Sequence, residues 1–333
     1  MNNKPLYLLM LTVMLCCAGC SKNACASPET VETIPSAPQT VSSVPVTEPM
    51  DIAQEAFALA PEPEPAVAVI LEAVPSGTAQ TVCEEASIDY SHKEEGYVMV
   101  RYTEPTEKRL KVLVKGPATT YSYNLPLDSW TVFPLSDGNG SYQVGIYKNV
   151  SGTRYAAVTA ADFSVELLDE FVPFLRPNQY VDYSCAENTV ALGLEITQGI
   201  EDPLHKVAAV YDHVVSALTY DDEKAATVKS GYLPVLDQVL EEGKGICFDY
   251  AAVMTAMLRS QEIPCKLVVG YAGSIYHAWI SVWTDDSGWI DGAIFFDGHV
   301  WHRMDPTFAS SGDRSEEIMD FIRNGNYQVK YLY

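Results

Sequence analysis

Hydrophobic and polar residues alternate in short runs between Ile88 and Leu168. The runs are rich in Val, Tyr, Phe and Thr, and turn sequences such as SDGNG, NVSG and KGP separate them. They read YVMVRY, LKVLVK, TYSYNL, WTVFPL, SYQVGIY, RYAAV and FSVEL. Short alternating strands with Gly, Asn and Pro turns are typical of a β-sandwich. The pattern therefore predicts an all-β sandwich module over residues 85–195, with few candidate catalytic groups and the role of a spacer or docking module.

A helical period replaces the alternation after residue 196. Asp202-Pro203 is a helix start signal, because Asp is a good N-cap acceptor and Pro is favoured at the first helical position. Apolar residues then recur on one helix face, at Leu204, Val207, Ala208, Tyr211, Val214, Val215 and Leu218. A second helix is predicted after Cys247, and its apolar residues cover more than one face, so we expect it to be buried.

Strand patterns follow the second helix. CKLVVGYA and HAWISVW predict two strands, and YQVKYLY predicts an edge strand near the end of the sequence. WIDGAIFFDGHVWHRM predicts a hairpin that turns at Asp297-Gly298, a strong two-residue turn signal. Helices that precede antiparallel strands indicate an α+β domain over residues 196–333.

The first 20 residues resemble a bacterial lipoprotein signal peptide. Lys4 precedes an apolar segment, Leu6 to Cys17, that is shorter than the ~20 residues of a membrane-spanning helix. Ala-Gly-Cys ending at Cys20 resembles a lipobox, although Cys17 stands where that motif usually has Leu. The resemblance implies a lipid on Cys20 and a location on the extracytoplasmic face of the cell membrane. An ordinary cleaved signal peptide and a retained anchor are the alternatives.

Residues 21–84 have a composition that disfavours folding. They are rich in Pro, Ala, Ser, Thr, Val and Glu, as in PEPEPAVAV. Such a segment buries too little apolar surface to offset the entropy of folding. We therefore predict a disordered tether between the membrane and the sandwich.

Charge and cysteine content exclude several classes of protein. The net charge is −23, and no Lys or Arg occurs between Asn23 and His92. Nucleic acid is therefore not an expected partner, since phosphate binding needs a basic surface. Three of the eight cysteines belong to the signal segment and a fourth to the tether. The others, at positions 83, 185, 247 and 265, have neither disulfide-framework nor CxxC spacing, although a Cys83–Cys185 bridge is left open.

Cys247 in GKGICFDYAAVMTAML is a candidate nucleophile. The N-terminus of a helix favours a thiolate, and its unpaired N–H groups can also receive an oxyanion. Gly243 and Gly245 would let the preceding loop turn sharply and would leave room for a substrate backbone. The alternative is a small buried cysteine that happens to begin a helix.

His277 and Asp305 are candidate partners for the thiol. In HAWISVW, alternation places Ala278, Ile280 and Val282 on one face and His277 on the other. Asp305 ends a strand, where Pro306 fixes the backbone. Taken singly, each is also compatible with a structural role. Together they supply what a nucleophilic thiol needs, a base within hydrogen-bond reach and a third group that orients the base.

These segments resemble the core of the transglutaminase-like superfamily, a branch of the papain-like cysteine fold. The matching elements are Gly-x-Cys-x-x-x-Ala at 245–251, IPCKLVVGY, His-Ala-Trp at 277–279 and Asp-Pro-Thr at 305–307. The resemblance covers about residues 200–310. It implies that Cys247 is the nucleophile, His277 the general base and acid, and Asp305 the orienting carboxylate.

The sequence departs from the family at the nucleophile. Eukaryotic transglutaminases have Gln-Cys-Trp there, whereas this chain has Ile246-Cys247-Phe248. The side-chain oxyanion donor is therefore unassigned, with Tyr220 and Gln238 as candidates. No calcium-binding or other cofactor motif is present. A metal site of His277, His299, His302 and Asp305 is an alternative that lacks tight ligand spacing.

The sequence thus predicts a membrane-anchored, extracytoplasmic thiol enzyme that transfers acyl groups. We expect it to hydrolyse peptide or amide bonds in proteins or peptides of the cell envelope, because water is the default acceptor. The alternatives are protein crosslinking with an amine acceptor and a non-catalytic binding or scaffold lipoprotein that retains the fold.

Overall fold

The computed structural model describes residues 66–291, 294–296, 301–303 and 327–333, with only the backbone of 294–296 and 301–303. All of these residues lie in one unit, Ala60–Tyr333. The predicted signal peptide, Cys20, the tether up to residue 65 and Asp305 lie outside the described residues.

Eight antiparallel strands build the predicted sandwich. One four-stranded sheet has the order β1-β2-β3-β6, and the other has the order β5-β4-β7-β8. The strands are β1 (Gln80–Val82), β2 (Ala86–Asp89), β3 (Tyr97–Tyr102), β4 (Leu110–Lys115), β5 (Thr120–Asn124), β6 (Thr131–Pro134), β7 (Gly140–Ser151) and β8 (Arg154–Val165). The predicted strands are present, but RYAAV and FSVEL form one continuous strand, β8, because the intervening TAAD contains no Gly, Asn or Pro.

Alternation along the strands fills the core between the two sheets. In β4, Leu110, Val112 and Val114 are buried, whereas Lys111 and Lys115 point to the opposite face. Residues of both sheets contribute to the same hydrophobic cluster, among them Val100 and Phe133 from one sheet and Val144 from the other. The outer face of the β4 sheet is thereby left for polar side chains.

Residues 66–84 are packed on the protein and do not belong to a tether. The N–H of Val69 donates to the carbonyl of Ser260 at 2.8 Å, and Arg176 donates to the carbonyl of Glu72 at 3.1 Å. Ala68 packs against the hydrophobic core. The apolar run AVAVILEAV has enough hydrophobic surface to pack on the core. The average composition of residues 21–84 hides this run, so the predicted tether boundary at residue 84 is too late.

In the described part of the chain, five α-helices follow the sandwich: α1 (Glu187–Ile196), α2 (Pro203–Ala217), α3 (Asp222–Thr227), α4 (Leu236–Glu242) and α5 (Cys247–Arg259). The predicted start of α2 is confirmed, since the carboxylate of Asp202 accepts from the N–H of His205 at 2.8 Å. Helix α5 is buried as predicted.

Helix α1 was not predicted, and the boundary at residue 196 separates it from the helices on which it packs. Its N-cap, Ala186, has no side-chain acceptor, and Gly193 interrupts its middle, so the usual helix signals are missing. Gly193 nevertheless allows close packing there, because a Cβ atom would lie only 3.0 Å from the side chain of Met257 in α5.

The second half of the chain contains an antiparallel sheet of order β13-β12-β11-β16. Its strands are β11 (Cys265–Ala272), β12 (Ile275–Thr284), β13 (Gly288–Asp291) and β16 (Tyr327–Leu332). Helix α5 packs on β11 and β12. The two predicted strands and the predicted edge strand are present, which confirms the α+β class.

Two shorter strand pairs are also present among the described residues. Strands β9 (Thr219–Tyr220) and β10 (Lys244–Gly245) pair in parallel, and β14 (Ile294–Phe296) pairs antiparallel with β15 (Trp301–Arg303). The predicted hairpin is therefore confirmed, with Phe296 paired with Trp301. The predicted turn at Asp297-Gly298 lies outside the described residues.

A buried arginine joins three segments of the fold. The guanidinium group of Arg259, at the end of α5, donates to the carbonyls of Cys265 at 2.8 Å, Arg176 at 2.7 Å and Tyr333 at 2.6 Å. A buried cation is stable only when its donors are satisfied. Arg259 therefore fixes α5 against β11, against the segment after the sandwich and against the end of β16.

Candidate active site

Cys247 is the first residue of α5. Helix α4 ends at Gly243, whose φ of +62° is a left-handed conformation that favours glycine. Ile246 is extended, and the helix begins with the next residue. The N–H groups of Cys247 and Phe248 have no acceptor within the helix, because a helix leaves its first N–H groups unpaired. The predicted location of the thiol at a helix start is therefore found in the structure.

Asp249, two residues after the thiol, fixes this helix start. Its carboxylate is fully buried and accepts hydrogen bonds from the Ile246 N–H at 2.8 Å, the Tyr232 hydroxyl at 2.6 Å and the Lys224 ammonium at 2.7 Å. The buried carboxylate thus joins α5 to α3 and to the loop that follows α3. Sequence reasoning missed this residue, although an acidic residue in the first turn of a helix is a usable signal.

Gly245 is required for a different reason from the predicted one. A Cβ atom at this position would lie 2.7 Å from the Cβ atom of Asp249. The space beside Gly245 is therefore taken by Asp249, and it is not left for a substrate backbone. Close approach of β10 to α5 demands glycine here.

His277 lies in β12 opposite Gly270 of β11, and it is 4% exposed. The strand begins at Ile275, two residues earlier than predicted. Both faces of β12 are buried, whereas alternation predicted one apolar row. The second face is covered because Trp279 contacts Tyr327 of β16, with ring centroids 5.2 Å apart.

Cys247 and His277 line one cavity of about 610 Å³. Tyr276, which also lines it, has a pKa raised mainly by burial, with smaller contributions from neighbouring acidic groups that include the Cys247 thiol. The structure therefore brings two of the three predicted catalytic residues to the same cavity. Their catalytic roles remain predictions, as does the role of Asp305.

The sandwich supplies one wall of this cavity. Lys111 of β4 and Ser122 and Asn124 of β5 line it together with residues 228–232 after α3. Aromatic side chains form another part of the lining, namely Tyr180, Tyr220, Phe248, Tyr276, Tyr331 and Tyr333. No sequence signal linked the sandwich to the thiol, because more than 100 residues separate them.

The two candidate oxyanion donors are placed differently. Tyr220 lines the cavity that contains Cys247. Gln238 lines a separate recess beside α4, and its amide donates to the Glu242 carboxylate at 2.7 Å. Gln238 is therefore not positioned to act on a substrate at Cys247.

The alternative metal site lies largely outside the described residues. Asp305 and His299 are not described, and only the backbone of His302 is described, in β15. Within residues 66–291 and the shorter described segments, no group of three or more His, Cys, Asp or Glu side chains could hold a metal ion.

The remaining described cysteines, at positions 83, 185 and 265, are free thiols. Cys83 and Cys185, for which the sequence left a bridge open, do not form one. Cys265, at the start of β11, is fully buried, and burial raises its pKa to about 11. Among the four described cysteines, only Cys247 shares a cavity with His277.

Residues 190–292 match the family model described as the transglutaminase-like superfamily. This segment is a transglutaminase-like domain, which confirms the predicted transglutaminase-like α+β fold. The matched segment contains Cys247 and His277 and begins within α1.

Two curated proteins and a solved structure are similar to this chain. The Bacillus subtilis protein named Uncharacterized protein YebA is 32% identical over 127 residues, which are 32% of this chain and 17% of the relative. A Pseudomonas aeruginosa protein-glutamine gamma-glutamyltransferase is 28% identical over 147 residues, which are 39% of this chain and 20% of the relative. This chain thus spans a fifth or less of either relative.

The solved structure is the periplasmic domain of TgpA from Pseudomonas aeruginosa. It is 15% identical, with a TM-score of 0.33, and the match covers 74% of this chain and all of that domain.

The helices of the described part of the chain are all too short or too polar to cross a membrane.

Proposed function

We propose that the chain is a thiol-dependent acyltransferase that uses Cys247 as its nucleophile. The observation that carries this proposal is the meeting of a helix-start cysteine and a buried histidine in one cavity. Cysteine nucleophiles are activated by an adjacent histidine and by the N-terminus of a helix. Membership of residues 190–292 in the transglutaminase-like superfamily supports the same chemistry.

The reaction has two steps. His277 takes the proton of the Cys247 thiol, the sulfur attacks an amide carbonyl, the amide C–N bond breaks, and His277 gives the proton to the departing amine. The N–H groups of Cys247 and Phe248 receive the negative charge on the carbonyl oxygen. In the second step His277 takes a proton from the acceptor, which attacks the thioester; the C–S bond breaks, and His277 returns the proton to the sulfur. Asp305 is proposed to hold the His277 ring in the required tautomer.

Water is the proposed acceptor, and the reaction is then hydrolysis of a peptide or amide bond. The second candidate is crosslinking, in which an amine replaces water. It is supported by the name of the Pseudomonas aeruginosa relative, a protein-glutamine gamma-glutamyltransferase, but only a fifth of that protein is matched. The departure at Ile246-Cys247-Phe248 and the default availability of water favour hydrolysis.

We further propose that the enzyme acts at the cell envelope, anchored through a lipid on Cys20. The basis is the apolar segment before Ala-Gly-Cys and the acidic, Pro-rich segment after it. The expected substrates are proteins or peptides of the envelope, including cell-wall peptides, and not nucleic acids.

A peptide-processing assay tests the proposal. Envelope peptides are incubated with the protein, with or without a primary amine such as dansylcadaverine, and the products are identified by mass spectrometry. Hydrolysis adds the mass of water across the cleaved bond, whereas crosslinking replaces the leaving amine by the dansyl amine. The Cys247→Ala variant should give neither product, and Cys265→Ala should give the same products as the unchanged protein at the same rate. Products that persist in Cys247→Ala would contradict the proposal. If the unchanged protein binds peptides but forms no product from any of them, the scaffold lipoprotein is the correct alternative.

The anchor is tested on the membrane fraction. We expect the mature N-terminal peptide to begin with a lipid-modified Cys20, and Cys20→Ala to prevent that modification. An unmodified N-terminus at another residue would contradict the lipoprotein assignment.

A further inference from the structure

The cavity that contains Cys247 has an unusual charge for this chain. The whole sequence has 44 acidic residues against 21 lysines and arginines. Among the described residues that line the cavity, Lys111 and Lys229 are positively charged and none is Asp or Glu. The described part of the cavity wall is thus positively charged, although the protein as a whole is strongly acidic. A wall of one charge sign attracts ligands of the opposite sign.

Lys111 is a partly buried cation without a counter-charge in the described part of the chain. Its ammonium group donates to the neutral amide oxygen of Asn124 at 2.8 Å, and it takes part in no ion pair there. Burial, with a smaller contribution from Arg109, lowers its pKa. By contrast, Lys148 and Lys224 are also partly buried, and each contacts a carboxylate at 2.7 Å.

Hydrogen bonds from neighbouring segments fix Asn124, the residue that accepts from Lys111. The amide nitrogen of Asn124 donates to the carbonyl of Gly231 at 3.3 Å, which joins the sandwich to the loop after α3. The backbone of Asn124 exchanges two hydrogen bonds with the Gln179 side chain, at 3.1 and 2.9 Å. The residue that accepts from Lys111 is therefore itself held by three further hydrogen bonds, and preorganised groups lose less entropy when a ligand binds.

We propose that Lys111, assisted by Lys229, binds a carboxylate of the substrate, so that the acyl donor is an acidic peptide. This inference rests on the proposed function, since it assigns the substrate class of the same site. The peptide is proposed to lie between the sandwich and the start of α5, where the rings of Tyr180 and Phe248, 5.6 Å apart, are part of the cavity lining. The sandwich is then part of substrate recognition and not only a spacer.

Binding and acylation are measured separately to test the inference. The probes are short fluorescent peptides that carry Glu or Gln at each of three positions before the reacting carbonyl. Binding is measured by fluorescence anisotropy with Cys247→Ala, which cannot react. Acylation is measured with the same sequences as C-terminal thioesters and the unchanged thiol, by intact mass.

A matched pair of lysines provides the control. Lys115 lies on the same face of β4 as Lys111, and its ammonium donates to the amide oxygen of Gln143 at 2.8 Å, but it does not line the cavity. Lys111→Met should remove the preference for Glu over Gln, whereas Lys115→Met and the charge-conserving Lys111→Arg should retain it. Thermal unfolding of the two methionine variants shows whether either one is misfolded.

We expect Glu at one position to bind about tenfold more tightly than Gln, as is typical of a hydrogen bond to a charged group. Equal binding of Glu and Gln peptides at every position would overturn the inference, and so would a Glu preference that survives in Lys111→Met. A Glu preference without any acylation of Cys247 would refute the proposed function and leave the carboxylate site standing, which separates the two failures.

Discussion

Two cysteines of the same superfamily segment, Cys247 and Cys265, occupy contrasting regions. Cys265 begins β11 beneath α5, where it is fully buried and its sulfur lies 3.5 Å from the Thr255 hydroxyl. Burial raises its pKa to about 11, so it stays a neutral thiol near pH 7. Cys247 begins α5, is partly exposed and shares a cavity with His277.

The contrast shows that the position of a cysteine in a helix or strand, and the presence of a cavity beside it, decide whether the thiol can react. Both residues are followed by apolar sequence, and each is compatible with a core position when taken alone. Cys247 has the N–H groups of a helix start, a histidine and a cavity beside it, whereas Cys265 is enclosed by the core. The following predictions test this contrast, beginning with the largest expected effect.

Removal of the two thiols should affect different properties. Cys247→Ala should lower kcat/KM on the true substrate by at least about a thousandfold, because nothing else in the site can form the thioester. Cys265→Ala should retain activity and lower the free energy of unfolding by about 1–2 kcal/mol, the cost of a small cavity. Steady-state kinetics and urea denaturation measure the two effects, and full activity of Cys247→Ala would contradict the assignment.

Substitution of His277 or Asp305, the proposed partners of Cys247, should reduce activity less than substitution of Cys247 itself. We expect His277→Ala to be nearly inactive and Asp305→Asn to keep measurable activity, because the orienting group forms no bond to the substrate. In the double variant Cys247→Ala, His277→Ala the loss should barely exceed that of Cys247→Ala alone. Additive losses, measured as kcat/KM, would show that the two residues do not act as a unit.

Asp249 should matter more for stability than any other acidic residue at a described helix start. Asp249→Ala leaves the Lys224 ammonium and the Ile246 N–H without their partner, and breaking a buried ion pair costs about 3–5 kcal/mol. Asp202→Ala is the control, since it removes an exposed N-cap of α2 and should cost about 1 kcal/mol. Similar urea midpoints for both variants would contradict the structural role of Asp249.

Alkylation should distinguish the two cysteines with no mutation at all. With iodoacetamide at pH 8, Cys247 should be labelled in the native protein, whereas Cys265 should react only after denaturation because its thiol is buried and protonated. Peptide mapping after timed quenching gives both rates from one sample. Sluggish labelling of Cys247, at a rate like that of Cys265, would favour the non-catalytic scaffold.

Much of the fold could be predicted because its elements carry strong local signals. The β4 run LKVLVK and the Asp202-Pro203 start of α2 follow directly from alternation and capping. Helix α1 could not be predicted in the same way, because its stability comes from tertiary packing on α5, which allows Ala186 and Gly193 at positions that local rules disfavour.

Part of the candidate site could likewise be predicted from the sequence, and part could not. The motifs around Cys247 and His277 identify both residues, and the structure places them at one cavity. The contribution of Lys111 depends on how the sandwich packs against the helices, and no local pattern records that contact. The role of Gly245 was assigned to the substrate because the sequence does not show that Asp249 turns back toward it.

Capture of the acyl-enzyme tests the central claim most directly. The protein is mixed with a peptide thioester, quenched in acid within seconds, digested and analysed by tandem mass spectrometry. We predict an acyl group on the sulfur of Cys247, formed in Cys265→Ala as in the unchanged protein and absent from Cys247→Ala. Acylation confined to Cys265 or to other side chains, or no adduct on Cys247 from any thioester that binds the cavity, would contradict the account.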